Sequence, residues 1–315
     1  CIGTGNGTDA IWITLKNLGI GPGDEVITAA NTFIATSESI SMVGATPVFA
    51  DVDPYFTLDP VDLEKKITKK TRAVIAVHLF GQMADMEKIS QICKDHDLLL
   101  IEDAAQAHLS RYKNHFPGHW GEAATYSFYP AKNLGAYGDG GCIVTNSEEL
   151  DRKIRIYCNH GSPEKHLHVT EGINSRLDAL QAAVLSVKLK HLESWNKQRI
   201  VAAAKYRELL SGIPQIQLPL LRPDSEHTYH LYVIAAEQRN KLQAFLKSKD
   251  IDTGIHYPVA LPFMPCYTHL GYKPTDVPNS FQLQDKILSL PIFPEIISDQ
   301  VFFVADTIRG FYLNY

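Results

Sequence analysis

From Gly3 to about residue 146, short β-branched runs alternate with helical patterns, and this alternation restricts the chain to βα units stacked on a mainly parallel sheet. A helix is expected after Thr8, with Ile11, Leu15 and Leu18 on one face, ending in the glycine-proline cluster at 19–23. Strands are then expected at 25–29, 47–52, 73–81 and 98–105, with helices across 34–43, near 60–67 and over 85–97. Two more strands, 124–129 and 141–146, flank a glycine-rich loop that carries Lys132. Residues 175–211 read as long helices, with Leu177, Leu180, Val184 and Leu189 at helical spacing and an interruption near Trp195 and Asn196. After Pro214 the pattern restarts with a strand at 227–236, a helix at 238–249, a strand at 251–257 and helices at 280–288 and 298–312. The expected organisation is a large domain, 1–195, and a smaller C-terminal α/β domain, 196–315. The first residues, CIGTG, read as the end of a strand entering a turn, so an upstream segment is expected to be missing.

Composition removes several function classes. The 30 basic and 35 acidic side chains give a net charge of -5 without a long basic run, which disfavours nucleic acid as a partner. The longest apolar stretches are strand-sized, so no membrane span is expected. Five cysteines, Cys1, Cys93, Cys142, Cys158 and Cys266, lie far apart and form no CxxC pair, which suggests neither a disulfide framework nor a zinc site and fits a reducing cytoplasm. His78 and the His227–His230 pattern share no ligand spacing with Asp or Glu, so no metal is expected and the histidines read as structural.

Three motifs can carry chemistry. In GNGTDA, residues 5–10, two glycines and a hydroxyl precede a helix, where free N–H groups and the helix dipole attract an anion such as a phosphate; an ordinary helix start has the same pattern. Asp103 stands at the carboxyl end of an apolar strand, where open α/β sheets bind ligands, while alternation turns Glu102 to the other side. A carboxylate there suits the pyridine nitrogen of pyridoxal phosphate (PLP), or it caps a loop. Lys132 follows an expected strand within PAKNLGAYGDGG; it can form an imine with a cofactor aldehyde and then act as the proton carrier, although most loop lysines are solvated charges. Desolvation and cationic surroundings are expected to lower its basicity.

Taken together, GNGTDA, EDAAQ at 102–106 and SFYPAKNLGAYGDGG at 127–141 closely resemble the sugar aminotransferases of the DegT/DnrJ/EryC1/StrS family. The resemblance continues through TFIATS at 32–37, GATPVFADVD at 44–53 and INSRLDALQAA at 173–183. It implies PLP fold type I, the aspartate aminotransferase-like fold. By the same likeness, Lys132 is the lysine bonded to the cofactor, Asp103 pairs with the pyridine nitrogen and Gln106 hydrogen-bonds the ring hydroxyl. Thr8 and Asp9, chiefly through backbone N–H groups, and Ser127 through its hydroxyl would hold the phosphate, with Phe33 stacked on the ring. Asn174 would reach the phosphate of the neighbouring subunit, which makes a homodimer with shared active sites the functional unit; read without the family, Asn174 is a helix N-cap. Tyr129, Tyr137, His256 and Tyr257 are substrate-side candidates. The implied reaction moves the amino group of L-glutamate onto a nucleotide-linked keto-sugar, with a dTDP-3-keto-6-deoxyhexose as the first choice. A 4-keto-sugar on UDP or dTDP is the alternative within the family, and a catalytically idle sugar-nucleotide-binding relative is the alternative outside it.

Overall fold

A computed structural model of the protein describes residues 1–313. β1 (Ile2–Thr4) leads into α1 (Gly7–Asn17), whose N-terminus is capped by Asn6 Oδ1 accepting the N–H of Asp9 at 2.8 Å. There follow β2 (Glu25–Ala29), α2 (Ile34–Met42), β3 (Thr46–Ala50), α3 (Pro60–Lys66), β4 (Thr71–Val77), α4 (Met86–Asp95) and β5 (Leu99–Asp103). A two-residue strand, β6 (Arg111–Tyr112), precedes β7 (Ala123–Ser127), β8 (Gly141–Val144) and α5 (Glu148–Cys158). These strands, β6 excepted, form one seven-stranded sheet in the order β1-β8-β7-β5-β4-β2-β3. β3, β2, β4, β5 and β7 run parallel; β8 is antiparallel to β7, and the edge strand β1 is antiparallel to β8 and so runs with the others.

The central strands are buried on both faces, as expected where helices cover a parallel sheet. Val26, Val74, Ile75 and Ile101 are all at 0% exposure. Ile11 and Leu15 of α1 join Val26, Ile75 and Ile101 on one face, while Ile27, Val74 and Ala76 pack with Met86, Ile89 and Cys93 on the other. The carboxyl ends of β2, β4, β5 and β7 therefore converge, and the loops that leave them build the site.

α6 (Ala179–Leu210) carries the chain onward as one helix of 32 residues. The expected interruption near Trp195 and Asn196 is absent. Trp195 stacks on His191, one turn back, and Asn196 spends its amide on tertiary partners instead of competing with the helix. Beyond it lie β9 (Ile216–Gln217), β10 (Ser225–Glu226), β11 (Tyr232–Ala236), α7 (Arg239–Lys247), α8 (Pro278–Leu283), β12 (Ile287–Leu290) and α9 (Ser298–Leu313). β12, β11 and β9 form a separate antiparallel sheet, and β10 pairs with β6. The C-terminal part of α6 packs on this sheet: Ala203, Tyr206 and Leu210 share a core with Ile234, Leu242, Leu288 and Ile308.

Three further expectations are corrected, and one helix is added. The strand expected at 227–236 begins only at Tyr232, because the side chains of Thr228 and His230 bond to Ser110 and Asn133 and Tyr229 adopts φ 44°. Residues 251–257 meet the sheet through a single bridge, Gly254 to Ser289, and form no strand. Of the helix expected at 280–288, α8 ends at Leu283 and the apolar run ILSL becomes β12. α5, capped by Ser147 Oγ accepting the N–H of Leu150, was not anticipated. No helix among the described residues is long and apolar enough to cross a membrane.

Candidate active site

The loops at the carboxyl ends of the parallel strands enclose, with a segment of the C-terminal region, a cavity of about 680 Å³. Thr8, Asp9, Phe33, Asp103, Gln106, Ser127, Tyr129, Lys132, His256 and Tyr257 all line it. Two candidates lie outside. Tyr137 is 77% exposed, with its N–H donated to Gln181 Oε1 and its ring beneath Lys188 Nζ. Asn174 is exposed and bridges to Asn159.

Asp103 and Glu102 diverge at the end of β5. Asp103 Oδ2 accepts the hydroxyl of Thr36 at 2.8 Å and Oδ1 accepts the N–H of Ala105 at 3.1 Å. Glu102 points away from the cavity: Oε1 accepts N–H groups of Gly118, Trp120 and Gly121, and Oε2 lies 3.0 Å from His78 Nε2. Because His78 Nδ1 accepts the N–H of Ala84, Nε2 carries the proton, and this buried pair is fully satisfied.

Gln106 links the two parts of the cleft. Its Oε1 accepts the N–H of Phe80 at 2.7 Å and its Nε2 donates to the Tyr257 hydroxyl at 3.2 Å. Burial pushes that phenol up to about 12, so it remains a neutral O–H. The Phe33 and Tyr257 rings lie 5.6 Å apart. At the head of α1, the N–H of Asp9 is committed to Asn6, while the N–H groups of Gly7 and Thr8 have no partner among the described residues. A Cβ at Gly7 would stand 2.6 Å from Ser127 Cβ, so only glycine lets α1 approach the end of β7 this closely.

Lys132 is half-buried, and its Nζ forms no ion pair or side-chain hydrogen bond among the described residues. Burial lowers its basicity, and the charge of Asp103 opposes that shift. Of the two expected causes desolvation acts, whereas the charged neighbour is an anion and not a cation. The imidazoles near the lysine are held neutral: burial first, and then the Lys132 charge, takes His108 down to about 3 and lowers His256, whose Nδ1 lies 2.8 Å from Ser289 Oγ. The sequence reading missed Asn6, Thr32, Thr36 and His230. Asn6 was legible as an N-cap within GNGTDA; Thr36 gains its role only across the 67 residues that separate it from Asp103.

The profile of the DegT/DnrJ/EryC1/StrS aminotransferase family matches residues 1–309. The chain belongs to this family. Among relatives of this aminotransferase, a "Pleiotropic regulatory protein" of Geobacillus stearothermophilus is 49% identical over 100% of the chain and 85% of its own length. The dTDP-3-amino-3,4,6-trideoxy-alpha-D-glucose transaminase of Streptomyces venezuelae is 43% identical over 98% of the chain and 82% of its own length. The solved structure of Streptomyces venezuelae DesV in complex with a ketimine intermediate superposes with a TM-score of 0.96 at 43% identity, covering 99% of the chain and 84% of DesV. NtdA of Bacillus subtilis, solved with bound cofactor PMP, gives 0.88 at 33% identity, over 98% of the chain and 73% of NtdA.

The aminotransferase therefore has PLP fold type I and uses pyridoxal phosphate. Its residues suit that cofactor. The two unpartnered N–H groups and the Thr8 and Ser127 hydroxyls form a donor set for a phosphate at a helix N-terminus. Thr32 Oγ1 is a buried, unpartnered polar atom on the same cavity wall. An amine without an ion-pair partner and an anchored carboxylate complete the requirements.

Proposed function

We propose that this enzyme transfers the amino group of L-glutamate to a nucleotide-linked keto-sugar, with dTDP-3-keto-6-deoxyhexose converted to dTDP-3-amino-3,6-dideoxyhexose. The observation that carries the reading is Lys132, an amine of lowered basicity lining one cavity with the Thr36-anchored Asp103. The likeness to a dTDP-sugar transaminase at 43% identity supports the substrate class.

When bound, PLP supplies an electron sink beside the carbon that gains or loses a proton. The protein supplies binding and proton movement. Gly7, Thr8 and Ser127 hold the phosphate. Asp103, kept in place by Thr36 and the N–H of Ala105, accepts the pyridine N–H. Gln106, held by Phe80 and Tyr257, would hydrogen-bond the ring hydroxyl, and Phe33 would stack on the ring. Lys132 would hold the cofactor between turnovers, and its Nζ, when free, would take up and return the proton of the reacting carbon. Lowered basicity makes a neutral Nζ, the form that can take that proton, more abundant near pH 7. Tyr129, His256 and Tyr257 stand where a sugar would enter.

A homodimer is part of the proposal. Asn174 is exposed and does not line its own cavity, and the first turns of α6 expose Leu180 and Val187, seven residues apart on one side of the helix, at 82% and 63%, an apolar contact for a second copy. Asn174 would then serve the partner's phosphate site. Work in a reducing cytoplasm fits the five free thiols. The test is purified protein with PLP and L-glutamate against a panel of dTDP- and UDP-linked 3-keto and 4-keto sugars. Amination of the dTDP-3-keto sugar is expected, and activity on none overturns the reading.

A further inference from the structure

The HTYH segment at 227–230 carries two buried histidines with different surroundings. His227 is spent on structure: its Nδ1 accepts the N–H of Tyr229 at 3.0 Å and its ring stacks on Tyr229 at 3.8 Å. His230 is 9% exposed and lines the cavity of Lys132. Its Nδ1 lies 3.1 Å from Asn133 Oδ1, whereas its Nε2 has no partner among the described residues.

Two backbone carbonyls fix the proton on this ring. The carbonyl of His108 can only accept, so Asn196 meets it with Nδ2 at 2.9 Å and turns Oδ1 toward Asn133. The carbonyl of Thr228 also can only accept, so Asn133 meets Thr228 and Asn196 with Nδ2, at 3.2 and 2.9 Å, and turns Oδ1 toward His230. An amide oxygen in that place requires a proton on Nδ1, which leaves a lone pair on Nε2 of the neutral ring. Burial foremost, then the charges of Lys132 and Arg199 and the neighbouring His108 and His256, hold the ring's basicity well below that of an ordinary histidine. Nε2 is consequently a fixed acceptor and not a donor.

We propose that His230 accepts, through Nε2, a hydrogen bond from a hydroxyl of the sugar substrate. The inference deepens the proposed function and rests on its sugar reading. An acceptor selects a ligand group that carries a proton: the phosphates and the keto oxygen of the substrate and the carboxylates of glutamate offer none, whereas a sugar hydroxyl does. His230 also belongs to the C-terminal region that contributes His256 and Tyr257, while the phosphate and pyridine contacts come from the large sheet. The ammonium of the amino donor, and the imide N–H and ribose hydroxyl of the nucleotide, also carry protons, and the test separates them with L-glutamate and with dTDP that lacks the sugar.

In the holoenzyme labelled with 15N in histidine rings, His230 is expected to show the neutral Nδ1–H pattern from pH 8 to 6. With the cofactor in its pyridoxamine phosphate form, which cannot condense with either amine, its Nε2 resonance should move when the amino-sugar nucleotide product is added and stay put with L-glutamate or with dTDP alone. A charged or Nε2-protonated ring, or a response to glutamate or to dTDP alone, overturns the proposal. His230→Asn, which keeps a donor near Asn133 and removes the acceptor, should bind the product at least tenfold more weakly, and His230→Gln, whose carbonyl reaches the Nε2 position, should recover most of the loss. Binding by His230→Asn within twofold of wild type also overturns it. Failure of the wild-type protein to bind any nucleotide sugar is a separate result, which sinks the sugar reading itself.

Discussion

At Lys132, burial alters the chemistry of a loop lysine. Its amine is withdrawn from water, which disfavours the ammonium, and the nearby Asp103 recovers only part of that loss. The unfolded chain binds a proton at Lys132 up to its ordinary value of 10.5 and the folded chain releases it earlier, so between those two points the unfolded state holds more protons. Stability of the cofactor-free protein should accordingly contain a Lys132 penalty that is complete below the folded-state value and fades as pH rises from there toward 10.5. Lys132→Met removes the charge. Urea unfolding at pH 7.5 and 9.5 should find the variant more stable than wild type, with the gap narrowing at the higher pH; a gap that does not change with pH contradicts the burial. Asp103 and Lys132 are legible as candidates from a strand end and a glycine-rich loop, and Gln106 and Ser127 enter only through the family likeness of the motifs around them. Thr36 and His230 are not legible, since their roles depend on side chains 67 and 97 residues away.

At the scale of elements, the parallel strands were readable because strands buried on both faces leave continuous apolar runs, and β2 was placed at 25–29 to the residue. The errors gather where a polar residue acts through tertiary contacts or a run is too short to show a period. ILSL offers four residues, which fit a helix turn or a strand equally well. Asn196 was read as an interruption of a helix, yet it is a buried strut by which α6 holds Asn133, the residue after Lys132. Asn196→Ala leaves the His108 carbonyl unpaired and strips one acceptor from Asn133, at a cost of about 1–3 kcal/mol. The urea midpoint should fall correspondingly while the far-UV circular dichroism of the helix persists. A variant as stable as wild type would show that water replaces the strut.

For the whole molecule, the proposed function joins a PLP-holding sheet, a C-terminal region that lines the cleft, and a proposed second copy that would supply Asn174. Sharing has a quantitative signature. If Lys132 and Asn174 serve different subunits' sites, mixing inactive Lys132→Ala with defective Asn174→Ala should yield mixed dimers having one intact site each, restoring about a quarter of wild-type activity after subunit exchange. Activity no higher than the average of the parents contradicts the shared site. All of this depends on Lys132 being the residue that carries the cofactor, which can be read directly: the PLP-loaded protein is reduced with borohydride, digested, and its peptides are weighed. The account predicts the pyridoxyl mass on the peptide containing Lys132, with none on the surface lysines; a label on another lysine, or no label on a protein that still transaminates, would contradict it.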